Sequence, residues 1–269
     1  MDQQTSKKGL LVVSFGTSYL ETRKRTIEAI ENELRCAFPD RCLVRAWTSG
    51  MIRRKVEKTE GIHILSVVEA LERMAAEGFT NVLVQPTHLL NGEELERTRE
   101  TVSSFVGHFE TLCMGNPLLS CPDDIAALAR AVEGIYGDLP RGELLALMGH
   151  GSAAMTFPAY ELLEEQFRQD GYHNICIGTV EFTPGIAPVL ERVRRDKPAR
   201  VHLAPLLVVA GDHAAGDMSG DDPDSWKNQI AREGAGVVCH VNGLGEYEAV
   251  RALYVEHARC AGAIKEAAV

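Results

Sequence analysis

Short apolar runs recur along the chain at 9–15, 41–47, 80–86 and 110–114, with helical patterns of apolar and polar positions between them. Runs of four to eight residues that stay apolar, without alternating, belong to strands buried on both faces of a parallel sheet. Their alternation with helices predicts sheets covered by helices. The second half continues the pattern at 144–148, 174–180 and 201–209. In LLALMGHGSA (144–153) the apolar run stops at Gly149, His150 and Gly151. Ligands of open α/β sheets bind beyond the carboxyl ends of the strands, so His150 stands where such folds do chemistry. The two glycines are expected to let the backbone turn sharply and a large ligand come close. The competing reading is a histidine satisfied by backbone groups in a tight turn.

The second half repeats the first. GLLVVSFGTS aligns with ELLALMGHGS, which sets Phe15 opposite His150 at an offset of 135, and TSG at 48–50 aligns with TPG at 183–185 at the same offset. FTNVLVQPTHLLNGEE aligns with PARVHLAPLLVVAGDH at an offset of 119, pairing Pro86 with Pro205 and Gly92 with Gly211, and Asn116 meets Asn242 at 126. One such match would reflect the general likeness of βαβ units; an ordered series points to duplication. The fold predicted is α/β: two similar Rossmann/flavodoxin-like domains with parallel sheets and a cleft between them. The expected domains are 1–125 and 140–245, with a C-terminal helix in 246–269 packing back on the N-terminal domain. The drop from 135 to 119 gives the first half 16 extra residues after Gly50, among them the basic, helix-like MIRRKVEK. The rise from 119 to 126 gives the second half 7 extra after Gly211, in GDHAAGDMSGDDPDSW, which reads as a loop too polar and glycine-rich for a helix.

Composition narrows the function. With 28 Lys and Arg against 38 Asp and Glu, the formal charge of −10 argues against nucleic acid, which needs clustered cationic surface. No stretch approaches the length of a membrane span, and the N-terminus reads as a first strand, not a signal peptide. Seven scattered cysteines without a CxxC pair suit free thiols in a reducing cytoplasm.

Between the halves, Phe15, Ala46 and Glu94 become His150, Glu181 and His213. Each of the latter lies at or just past a strand's carboxyl end, so three adjacent strands would converge two imidazoles and a carboxylate. That donor set holds a first-row divalent ion with positions left open, and it also carries protons.

LLVVSFGTS, RAWTSGMIRRK, NGEE, MGHGS, VE.TPG and LLVVAGDHA..DM.GDD.DSWK together resemble the CbiK-type anaerobic sirohydrochlorin cobaltochelatases of the class II tetrapyrrole chelatase family. The resemblance spans nearly the whole chain. It implies paired α/β domains holding a tetrapyrrole in their cleft, with His150, Glu181 and His213 as metal ligands and His150 and Glu181 as catalytic groups. It implies ATP-independent insertion of a divalent ion, Co²⁺ foremost, into sirohydrochlorin in the anaerobic cobalamin pathway. The absence of a GxxxxGK[ST] phosphate loop agrees with the lack of a nucleotide. The alternatives are insertion of Fe²⁺ or Ni²⁺, or a protein that binds metal or tetrapyrrole without turnover.

An acidic protein taking an acidic macrocycle needs local cations, and arginine suits carboxylates best. The candidates for substrate contact are Arg45, Arg53 and Arg54 with the loop Phe15, Gly16, Thr17 and Ser18. Asp217, Asp221, Asp222 and Asp224 read as a solvated acidic loop. His88 reads as structural, with ligation of a second metal or a haem iron left open, as is homo-oligomerisation.

Overall fold

The computed structural model describes residues 6–151 and 158–264, so Ser152 and Ala153 of the GHGSA stretch lie outside the described residues. The chain divides into two compact units, one running to Leu118 and resuming at Arg251, the other spanning Leu119–Val250.

The first unit is built on β1 (Lys8–Ser14), α1 (Leu20–Arg25), α2 (Ile27–Ala37), β2 (Cys42–Trp47), α3 (Gly50–Glu60), α4 (Val67–Ala76), β3 (Asn81–Pro86), α5 (Glu93–Ser103) and β4 (Thr111–Met114). The second carries α6 (Pro122–Tyr136), β5 (Glu143–Gly149), α7 (Ala159–Gln169), β6 (Ile175–Thr179), α8 (Ala187–Asp196), β7 (Arg200–Leu206), α9 (Trp226–Arg232) and β8 (Gly236–Cys239). The chain then forms α10 (Glu248–Arg259) and β9 (Gly262–Ala263). In the first sheet the order is β2-β1-β3-β4-β9, and in the second it is β6-β5-β7-β8. Apart from β9, the strands run parallel in both sheets, and the two share one winding.

Burial explains the unbroken apolar runs. Leu10 to Val13 of β1 and Leu145, Ala146 and Met148 of β5 are wholly inaccessible, because helices cover both faces of each sheet. The aligned prolines share a structural reason. Pro86 lies two residues past the last pairing of β3 with β4, at Val84, and Pro205 lies two past the last pairing of β7 with β8, at Leu203. Neither therefore takes a hydrogen bond away from a ladder.

Four expectations change. First, the pairing registers revise the alignment of halves around β2 and β6. Ser14 faces Trp47 and Gly149 faces Thr179, an offset of 132 in place of 135. The hydrogen bond Ser49 N to Phe15 O recurs as Glu181 N to His150 O, so the counterpart of Glu181 is Ser49 and not Ala46. Backbone register follows hydrogen-bond geometry, which the chance likeness of TSG and TPG does not carry.

Second, the apolar run at 201–209 leaves the sheet after Leu206, which pairs with Gly149, the last residue of β5. Third, the GDH segment is not a loop throughout: Ala214–Met218 forms one π-helical turn. Ala214 and Met218, four apart, bury into the core with Trp226 and Ile230, and that packing outweighs the poor helix propensity of Gly216 and Asp217. Fourth, the terminal helix stops at Arg259. Beyond it, Gly262 and Ala263 pair antiparallel with Met114 and Cys113 and cover the open edge of β4.

The helix that follows each last strand belongs with the other unit. From β4 the chain enters α6, counted with the second unit, and α10 is counted from Arg251 with the first. There the Tyr254 hydroxyl donates to Thr87 O at 3.0 Å, and Arg251 pairs with Glu33 at 3.6 Å.

Candidate metal centre

All three candidate ligands lie in the second unit, beyond the carboxyl ends of the adjacent strands β6, β5 and β7. His150 follows β5 directly, Glu181 stands two residues past β6, and His213 opens the helical turn beyond β7. Their positions are fixed by backbone. Glu181 N donates to His150 O at 2.9 Å and Val180 N to Gly149 O at 2.8 Å, which ties the two strand ends together.

Of the uses expected of the glycines around His150, the sharp turn is present at Gly151, and both glycines also make room for neighbouring protein atoms. A Cβ at Gly149 would sit 2.6 Å from the Tyr160 ring, and one at Gly151, where φ is +86°, would sit 2.1 Å from Glu181 O. The space they free is taken by the Tyr160 ring and by the Glu181 backbone. Burial of Tyr160 pushes its hydroxyl up to about 12, so it stays protonated beside the Gly151 amide.

One ligand atom from each of His150, Glu181 and His213 falls in a set within 4.8 Å of one another. His150 Nε2 lies 4.0 Å from Glu181 Oε2, and His213 Nε2 lies 3.9 Å from Glu181 Oε1. The imidazoles meet edge to face, with centroids 5.0 Å apart and planes at 80°. Bonds of about 2.1 Å to one ion set neighbouring donors roughly 3 to 3.5 Å apart, so the three donors must draw together by about half to one and a half ångströms to share an ion. All three side chains are partly or well exposed, so an ion and a further ligand have access.

Each imidazole is anchored through its other nitrogen. His150 Nδ1 is 3.0 Å from Gly151 O, so the backbone-satisfied reading holds for one nitrogen while Nε2 stays available. His213 Nδ1 is 2.8 Å from Asp217 Oδ2. A carboxylate on the far nitrogen fixes the tautomer, aims the ring and makes the free nitrogen a better donor. Asp217 escaped the sequence reading, which placed it in a solvated loop. Its signal was the four-residue spacing from His213, which becomes a shared face only once 212–218 is helical.

The substrate-contact candidates lie in the first unit and fare unequally. Arg45 is committed to Glu31, donating Nε to Oε1 at 2.7 Å and Nη2 to Oε2 at 2.5 Å. Arg53 donates to Glu69 Oε2 at 3.0 Å and to Ile64 O, bracing the start of α4. Arg54 is exposed on α3. Phe15 projects from the end of β1 half exposed, followed by buried Gly16 and Thr17 and half-buried Ser18. Glu94, which answers to His213, lies in the first turn of α5 behind its Gly92 cap, while Ser49, which answers to Glu181, caps α3 by accepting from Ile52 N.

His88 is partly buried, and both its ring nitrogens are sealed from solvent with no hydrogen-bond partner. Burial alone pushes it down to about 4, so it is neutral at ordinary pH. Two histidines without assigned partners in the sequence do meet: His202 lies between Glu143 Oε2 at 2.5 Å and His240 Nε2 at 2.9 Å. Among the described residues no helix is long and apolar enough to cross a membrane, and the seven cysteines are free.

Two parallel sheets with this winding form the architecture of the class II chelatases. SirB from Bacillus subtilis, solved with Fe³⁺, shares it at a TM-score of 0.64, with 12% sequence identity and 94% of both chains covered. From residue 8 to 262 the sequence matches the family model described as cobalt chelatase (CbiK), and the chain belongs to that family. It is 40% identical to the sirohydrochlorin cobaltochelatase of Salmonella typhimurium strain LT2 over 251 residues, 93% of this chain and 95% of that one. It is 30% identical over 263 residues to the sirohydrochlorin cobaltochelatase CbiKC of Nitratidesulfovibrio vulgaris, covering 94% and 89%.

Proposed function

We propose that this chain inserts Co²⁺ into sirohydrochlorin without nucleotide hydrolysis, using His150, Glu181 and His213 to hold the incoming ion. The observation that carries the reading is the convergence of these three donors in a chain similar over nearly its full length to cobaltochelatases. Two imidazoles and one carboxylate leave coordination positions open for the macrocycle's nitrogens. As Co²⁺ enters, two pyrrolic N–H protons must leave. The groups within reach are the Glu181 carboxylate and whichever imidazole Nε2 has released the ion. Glu181 faces both histidines, so it can stay near the metal while taking a proton, a double role neither anchored imidazole matches.

Of the three candidate arginines we assign the peripheral carboxylates to Arg54, which is exposed, because Arg45 and Arg53 are engaged by Glu31 and Glu69. The loop Phe15 to Ser18 offers apolar surface and backbone groups beside β1. Selection of Co²⁺ over Ni²⁺ does not follow from donor chemistry, since nickel binds such sites more tightly; availability and geometry must decide.

The test is turnover: cobalt-sirohydrochlorin, followed by absorbance, should accumulate far beyond the protein concentration from Co²⁺ and sirohydrochlorin without ATP. His150→Ala and His213→Ala should each abolish accumulation while circular dichroism stays unchanged. A complex that stops at one equivalent would make the protein a binder, and faster insertion of Fe²⁺ or Ni²⁺ at equal free concentrations would change the metal.

A further inference from the structure

Phe182 follows Glu181 directly and is held in a conformation that its side chain disfavours. Its φ is +63°, in the left-handed region that glycine and asparagine tolerate and a bulky residue does not. The residue is 53% exposed, so burial does not repay the strain. In the first unit the register counterpart of Phe182 is Gly50, which opens α3; in the second unit the chain instead turns at Phe182 before α8.

That turn is braced from below. Thr179 Oγ1 donates to Phe182 O at 3.3 Å and accepts from Gly185 N at 3.0 Å, while Thr179 N donates to Gly185 O at 3.0 Å. One buried threonine therefore closes the loop and leaves the Phe182 ring outside it. Strain maintained by surrounding structure, on an exposed aromatic next to a candidate ligand, marks a position kept for contact and not for stability. Its apolar face is about the size of one pyrrole ring, and its Cα lies only about 3.8 Å from that of the candidate ligand Glu181.

We propose that Phe182 is a positioning residue that packs against the flat face of the macrocycle and holds it in register over His150, Glu181 and His213. This rests on the chelatase reading. Aromatic stacking tolerates the macrocycle's varied periphery because it uses the π-face alone. It also leaves the carboxylates to cationic groups such as Arg54.

Two substitutions test it, because both accept the left-handed backbone without strain: Phe182→Gly and Phe182→Asn. Each should fold at least as stably as the wild type and bind Co²⁺ alone with wild-type affinity. Each should weaken binding of metal-free sirohydrochlorin, titrated by its absorbance, by roughly ten-fold or more, with a matching rise in KM. Phe182→Trp should retain wild-type affinity. Wild-type sirohydrochlorin affinity in the Gly and Asn variants would overturn the proposal, as would a parallel loss of Co²⁺ affinity in both, since Phe182 would then act only through Glu181. A wild-type protein that forms no cobalt product is a separate outcome, which removes the chelatase reading on which the proposal depends.

Discussion

His213 carries its donor direction from a partner on the other side of its ring. Asp217 holds Nδ1 at 2.8 Å, and the pair sits one turn apart on a helical segment whose apolar residues are in the core. Removing the carboxylate leaves the ring in place but free to rotate and to change tautomer. Asp217→Ala should therefore weaken Co²⁺ binding by about 10- to 100-fold. Asp217→Asn, which keeps an acceptor, should lose less. Isothermal titration with Co²⁺ checks this, and equal affinity in Asp217→Ala and the wild type would reduce the contact to a surface hydrogen bond.

Among the elements, α3 is the clearest asymmetry between the two units. It supplies most of the extra length after β2 and is set by its ends: Ser49 caps the first turn and Gly61, at φ +69°, ends the last. Its basic residues serve different purposes. Arg53 braces α4, where Ser66 and Glu69 form a capping box, whereas Arg54 faces outward. Arg54→Gln should raise the KM for sirohydrochlorin and reduce its salt dependence, since exposed charge contacts are screened within about 8 to 10 Å at ordinary ionic strength. Arg53→Gln should instead lower thermal stability with little change in that salt dependence. Steady-state kinetics at two salt concentrations and a melting curve separate the two, and an unchanged KM in Arg54→Gln would leave the macrocycle's carboxylates to other groups.

For the molecule as a whole, His88 couples stability to acid. In the folded chain it is held down to about 4 against an ordinary 6.5, with burial as the cause. Between those values the unfolded chain binds a proton that the folded chain refuses, so stability falls as pH falls through this window. The contribution is intact above about pH 6.5 and fully lost below about 4, and it is worth about 2 kcal/mol between pH 7 and pH 5. Wild-type protein should lose that much more stability than His88→Leu over the same interval, measured by denaturant unfolding at both pH values. Parallel losses would show that His88 does not set the acid limb.

The apolar runs, their alternation with helical stretches and the repeated order of motifs were enough to determine two α/β units of one winding. Burial of both sheet faces writes itself directly into composition, and strand ends are marked by glycine and proline. His150 and His213 were legible for the same reason, as polar residues stranded past apolar runs. Glu181 was read as a candidate beside them, but its partner in the other half was misread by three residues, because register is set by hydrogen bonds between strands distant in sequence. Asp217 became visible only when Ala214 and Met218, buried by tertiary packing, drew a polar segment into a helical turn. The commitments of Arg45 and Arg53 were hidden likewise, since a sequence records that a charge is present and not which opposite charge folding brings within reach. Phe182 is the limiting case: its residue type suggests burial, and only the backbone turn fixed by Thr179 decides that its ring faces outward.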